Sequence, residues 1–285
     1  MGAAVALAAL SALIWGTADY SGGRASRRAS AYTTAVAAEI LGLPLIAVLL
    51  LLVPGTLHLA DVGWSAAAGV AGLGGLVILY RALAAGAMTL VAPITGVTGA
   101  ALPVVVGLMT DAAPSAVTLA GIGCAVAAIA LVSIGSDGRT GAGGRPGTRA
   151  GVRSVGWALA AGALFGLFFV LLERTADDAG LWPVAAVRLG AVPAGLLLLW
   201  HRRASLVPPR SVVPWLMVAG VGDIAANALY LVAVRDGVLA VVAPVASLYP
   251  VSTVLLALVV DRERVRPLQV GGLGLAAAAL VLTAL

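Results

Sequence analysis

Residues 31–53 read AYTTAVAAEILGLPLIAVLLLLV, and the only charged side chain among them is Glu39. A helix rises about 1.5 Å per residue, so roughly 20 apolar residues cross the hydrocarbon of a bilayer. The stretch therefore predicts a membrane span. It is one of ten apolar runs, at about 3–22, 31–53, 63–84, 89–109, 115–135, 154–174, 181–200, 211–233, 238–260 and 267–285. The breaks between runs fall at Pro, Gly and charged clusters, such as Val53-Pro54-Gly55, Asp111-Ala112-Ala113-Pro114 and Pro208-Pro209-Arg210. Hydrophobic residues are 61% of the chain and charged residues 10%, and mean hydropathy is +1.09. A soluble chain of 285 residues cannot bury that share of apolar side chains. The predicted fold class is an all-α integral membrane protein with ten transmembrane helices.

One connection is long. Residues 136–153 are rich in Gly and Arg and read as a flexible linker, with five runs before it (1–135) and five after it (154–285). The two sides resemble each other. Leu79-Tyr80 recurs as Leu229-Tyr230, and Val91-Ala92-Pro93 recurs as Val242-Ala243-Pro244 at an offset of 151. Gly86, Gly121 and Gly123 fall on Gly237, Gly272 and Gly274 at that offset, Trp15-Gly16 on Phe165-Gly166 at 150, and Pro44 on Pro193 at 149. An odd number of spans per repeat turns the second half upside down. This predicts two inverted five-helix repeats, a recurring plan of secondary transporters.

The arginines set the expected orientation. All 17 basic residues are Arg; 14 lie in the odd-numbered connections, Arg174 and Arg235 in the even-numbered ones, and Arg188 inside a span. Positive charge favours the cytoplasmic side. The count places the 136–153 linker in the cytoplasm and both termini outside, in a cell inner (plasma) membrane. The net charge of +5 then fits an anionic leaflet rather than nucleic acid.

Other chemistry has little to stand on. Cys124 is the single cysteine, and His58 and His201 lie apart at span ends, so neither a disulfide nor a metal site is expected. Without lysine there is no Schiff-base chemistry. No GxxxxGK[ST] loop occurs, so no nucleotide cofactor is expected. The first run lacks a basic leader and is expected to be a retained helix.

Trp15-Gly16, the stretch from Leu79-Tyr80 to Ala92-Pro93, and Asp261-Arg262-Glu263-Arg264 followed by Gln269 and Gly272 resemble the EamA-like branch of the drug/metabolite transporter superfamily. The resemblance runs over essentially the whole chain. It implies a ten-helix inner-membrane carrier of small metabolites, in many members an exporter of amino acids. Thr110-Asp111-Ala112-Ala113 stands where the first half of such proteins usually carries Gly-Glu. The better-known members are drawn with both termini in the cytoplasm, opposite to the arginine count.

Ionisable groups inside a span cost roughly 2.5–3.5 kcal/mol each on insertion scales and face a cavity or a partner. Asp19, Glu39, Arg188 and Asp223 are such groups. Glu39 and Arg188 are counterparts at an offset of 149. Arg188 could hold a substrate carboxylate in a bidentate pair, with Glu39 taking an amine or a proton; the alternative is a structural ion pair. Asp223, Asn227 and Tyr230 share one stripe of a helix, as cavity lining or as interhelical hydrogen bonds. Asp19 follows Trp15 by one turn and precedes Arg24, Arg27 and Arg28, so a local salt bridge is its alternative role. Trp15 stacks on substrate or packs. Tyr80 lines the site or joins an interfacial aromatic belt, and Tyr249 needs an acceptor inside its span. Asp177-Asp178 and Asp261–Arg266 read as solvated loops.

The expected substrate-binding set is therefore Trp15, Asp19, Glu39, Tyr80, Arg188, Asp223, Asn227, Tyr230 and Tyr249, with Glu39 and Asp223 as proton-coupling candidates. The expected function is secondary transport of a small polar metabolite, amino acid-like or drug-like, by alternating access and in the direction of efflux. The partners are the substrate, the bilayer and protons. The alternatives are an integral-membrane enzyme acting on a lipid and a channel or sensor. For these the sequence offers neither clustered acid–base groups nor a filter-like motif.

Overall fold

The computed structural model describes residues 2–85, 88–110, 149–236, 245–246, 248–262 and 267–284, with short pieces between 116 and 131. The described residues are helical, with no strand among them. Helices α1 (Gly2–Ala25), α2 (Ala31–Leu52), α3 (Leu59–Ala84) and α4 (Met88–Thr110) precede the linker. Helices α5 (Arg149–Glu173), α6 (Trp182–Arg202), α7 (Val213–Asp236), α8 (Tyr249–Val259) and α9 (Pro267–Ala284) follow it. Among the described residues six helices, α1, α2, α3, α5, α6 and α7, are long and apolar enough to cross a membrane. The fifth predicted span falls largely outside the described residues. So do linker residues 136–148, the Asp111-Ala112-Ala113 departure, Gly86, Gly121, Glu263, Arg264 and the start of the ninth span with its Gly237 and Val242-Ala243-Pro244 match.

The helices begin and end where local chemistry directs. Ser30 caps α2 by accepting a hydrogen bond from the Thr33 N–H at 3.0 Å. Pro183 sits in the first turn of α6, where its missing N–H costs nothing. Arg203 closes that helix in the left-handed conformation, at φ 51°. α5 begins at Arg149, inside the stretch read as linker, and Arg153 stacks on Trp157 one turn later, 5.0 Å from the ring centroid. Pro44 lies within α2 and Pro193 within α6.

Apolar side chains fill the interior and also cover much of the outer surface. Leu51, Leu59, Trp200 and Val259 are among the most exposed residues. Ser11, Asp19, Thr34, Glu39, Ser65, Arg188, Asn227 and Thr253 are buried. An outer surface of that kind requires lipid as solvent.

The two halves interlock. α1 packs on α7 and α8, while α5 packs on α3 and α4; α2 meets α6 and α7, while α6 meets α2 and α3. Two crossings are close because glycine stands at each. At the α3–α6 crossing, a Cβ on Gly69 would overlap the Val187 carbonyl, and one on Gly190 would overlap the Ala66 carbonyl. At the α2–α7 crossing, a Cβ on Gly220 would overlap the Ala38 carbonyl, and one on Gly42 would press on the Gly220 carbonyl. Small residues that let backbones approach are the usual basis of helix association in lipid. Gly69 and Gly220 are 151 residues apart, so the two crossings carry matched positions.

The ends of the bundle differ in charge. At one end Arg24 and Arg27 hold Asp261, and Arg81 donates to the Tyr32 hydroxyl at 2.7 Å. Arg202 also lies over Tyr32, and Arg81 over Trp157. At the other end Asp61 accepts from the Ala176 N–H at 3.0 Å, His58 meets Asp178 at 2.8 Å, and Arg235 donates to the Gly180 carbonyl at 2.5 Å. The expectation of a solvated Asp261 fails. Its side chain is 8% exposed, because two arginines of the α1 terminus neutralise it. Asp178, 66% exposed, is the surface residue it was read to be.

Candidate functional site

Arg188 is the centre of the interior. It is joined to Glu39, 149 residues before it, by a hydrogen-bonded ion pair between Arg188 Nη1 and Glu39 Oε2. The other terminal nitrogen, Nη2, donates to Asp223 Oδ2 at 2.6 Å. One guanidinium thus ties α2, α6 and α7 together. Asn227, one turn beyond Asp223, donates its amide N–H to the Asp223 carbonyl at 2.8 Å and to Asp223 Oδ1 at 3.1 Å. Two buried polar atoms of this cluster have no hydrogen-bond partner among the described residues: Arg188 Nε, a donor, and Asn227 Oδ1, an acceptor.

Asp19 completes the polar set. It is buried, 8% exposed, and within electrostatic range of Asp223. Among the described residues it has neither an ion pair nor a hydrogen bond. The local salt bridge to the arginines that follow it does not form, because Arg24 turns instead to the Tyr20 hydroxyl at 2.9 Å and to Asp261.

These groups border one cavity of about 570 Å³ of atom-free space, its opening included. Trp15, Asp19, Glu39, Arg188, Asp223, Asn227 and Tyr249, seven of the nine residues expected from sequence, line it. Tyr230 stands behind the wall, its ring 5.6 Å from that of Trp15 and 5.6 Å from that of Phe169. Tyr80 is not in an aromatic belt. It is 2% exposed, and its ring fills the space beside Gly22, within electrostatic range of Asp19 and Asp223.

The apolar wall was not anticipated. Phe165, Phe168 and Phe169 of α5 line the cavity, together with Gly69, Gly72, Leu73 and Leu76 of α3. Phe169 meets Trp15 edge to face at 5.8 Å, and Tyr249 approaches Trp15 at 6.4 Å, so Trp15 sits in a cluster of rings. The signal that finds this wall is the internal offset. Trp15 and Phe165 are 150 apart, as are Asp19 and Phe169; Gly72 and Asp223 are 151 apart, as are Leu76 and Asn227. With Glu39 and Arg188, five pairs of positions 149–151 residues apart line the same cavity. In three of them one half supplies a polar group and the other an apolar one.

The arrangement can bind and orient a small charged molecule. It holds three carboxylates against one guanidinium, with aromatic rings beside them. No group of metal-ligating side chains occurs among the described residues.

The sequence model of the EamA-like transporter family matches residues 152–285, in agreement with the resemblance carried by the chain's own motifs. That family's members are membrane transporters of the drug/metabolite superfamily, and the apolar helices are those of a multi-pass membrane protein. No curated protein matches the chain. A solved crystal structure of a protein shares the fold, with a TM-score of 0.68 at 16% identity over 99% of this chain and 96% of that one. At that identity the likeness is one of fold.

Proposed function

We infer that this chain is a secondary carrier moving a small polar metabolite out of the cell across the inner membrane by alternating access. One observation carries the reading. The ionisable groups of the membrane interior converge on a single cavity whose lining recurs at separations of 149–151 residues. Such recurrence fits ten spans arranged as two inverted repeats, residues 1–135 and 154–285, with the binding site on the axis between them. The matched packing of α1 on α7 and α5 on α3 supports the same arrangement. The gathering of Arg24, Arg27, Arg81 and Arg202 at one end supports a cytoplasmic linker and outward termini.

Access to the cavity then alternates through contacts at the two ends. Arg24 and Arg27 on Asp261 fasten the end of α1 to the end of α8. In sequence, Arg174 stands 150 residues after Arg24, and Asp111 stands 150 before Asp261. Coupling to protons runs through the Arg188 cluster, because a proton taken up by Glu39 or Asp223 removes one of the two charges that hold Arg188.

The test is metabolite profiling, inside and outside cells with and without the protein, repeated with Arg188→Ala and Asp223→Asn. A metabolite should leave the cells only with the intact protein. Profiles unchanged by the protein, or unaffected by both substitutions, would overturn the assignment. Transport into proteoliposomes that ignores an imposed pH gradient would remove the proton.

A further inference from the structure

We propose that the solute is an organic cation, a protonated primary or secondary amine on an apolar or aromatic body, with its ammonium group seated between Asp19 and the Asn227 carboxamide oxygen. The proposal rests on the carrier reading of the cavity and names the class of molecule the cavity takes.

Charge bookkeeping comes first. Both terminal nitrogens of Arg188 are engaged, one with Glu39 and one with Asp223. That leaves the trio with one net negative charge and no open fork for a substrate carboxylate. Asp19 is a further buried acid beside the trio, and no described cation answers it. A buried, unpaired carboxylate is costly. A cation that arrives within hydrogen-bonding distance removes that cost, whereas an anion adds to it. A zwitterion gains at its ammonium and loses at its carboxylate.

Hydrogen bonding then narrows the cation. Asn227 Oδ1 is a buried acceptor without a donor, on a residue 5% exposed that lines the cavity. An ammonium with N–H bonds satisfies it and Asp19 together; a quaternary ammonium has no N–H to give. The rings finish the description. Trp15, Phe169 and Tyr249 form one face beside Asp19, and aromatic faces attract cations and accept apolar bodies. Arg188 Nε, a donor without an acceptor, suits a hydroxyl or carbonyl oxygen carried on that body.

One aromatic skeleton with different charges tests this. Phenethylamine, phenylalanine, 3-phenylpropanoate and N,N,N-trimethylphenethylammonium are titrated calorimetrically into the purified full-length protein in detergent. Phenethylamine should bind at least about tenfold more tightly than phenylalanine. The trimethyl compound should bind more weakly than the amine, and 3-phenylpropanoate should give no binding. Asp19→Asn should weaken the amine about tenfold or more, Asp19→Glu should restore most of the affinity, and Asp178→Asn on the exposed loop should leave it unchanged. Matched melting temperatures exclude misfolding as the cause. The proposal is overturned by no amine binding to folded protein, by equal or tighter binding of phenylalanine or 3-phenylpropanoate, or by an Asp19→Asn protein that binds the amine as the parent does. Amine binding by a protein that changes no metabolite in cells would sink the carrier reading alone. Export of an anion or zwitterion without amine binding would sink the cation alone.

Discussion

Glu39 accepts a hydrogen bond from Arg188, the residue that stands 149 positions after it in the chain. Their opposite charges meet inside the bundle, both side chains buried.

The pair belongs to a trio, which makes the consequences of breaking it unequal. Removing Arg188 leaves Glu39 buried and Asp223 half-buried without their cation, and uncompensated buried charge costs about 3–5 kcal/mol. Neutralising Glu39 leaves Arg188 still paired with Asp223, a loss of about 1–3 kcal/mol. Thermal unfolding in detergent should therefore show a clearly larger drop for Arg188→Met than for Glu39→Gln. Equal drops would mean that Asp223 does not share the guanidinium.

The glycine crossings give a second contrast. A methyl group at Gly69 meets the Val187 carbonyl, while one at Gly63, on the same helix, meets nothing within 4 Å. Gly69→Ala should separate α3 from α6, costing about 1–3 kcal/mol as overpacking usually does, and should lower export. Gly63→Ala should leave both stability and export unchanged. Melting curves and an export assay decide the point.

Asp261 offers a test of the fastening at the arginine-rich end. Asp261→Asn releases Arg24 and Arg27, so amide hydrogen exchange should quicken across residues 20–28 and 255–261. The middle of α7 should not change. Uniform quickening would indicate global destabilisation rather than loss of a local clasp.

Trp15 touches Phe169, Tyr230 and Tyr249. Trp15→Phe keeps a ring in the cluster and should cost only a few-fold in the apparent affinity of the exported solute. Trp15→Ala should cost about tenfold or more, in line with roughly 1–2 kcal/mol for a desolvated cation–ring contact. Concentration dependence of export measures both.

Much of this was legible in the chain because lipid makes hydropathy a direct reporter of structure. The run at 31–53 became a helix over Ala31–Leu52, and the run at 89–109 one over Met88–Thr110. Helix ends extended past the apolar runs where arginines and aromatics continue them, as at Arg24 and at Arg153 over Trp157. Polar residues inside spans were equally legible, since their cost implies a cavity, and seven of the nine lie on one. Phe165 and Phe169 were not, because a phenylalanine in a span looks the same whether it faces lipid or a ligand. Asp261 was misread for a different reason. Its partner Arg24 lies 237 positions away, a separation that no internal offset marks.

The outward positions of this protein answer only to the chemistry of acyl chains. At Leu51, Leu59 or Val259 any side chain of similar oiliness serves, and evolutionary drift there should be wide. At Gly69 and Gly190 there is no room even for a methyl group, which would overlap a backbone carbonyl oxygen, and Ala68 is fully buried. Related sequences should therefore diverge from the outside inward, with the smallest residues the last to change.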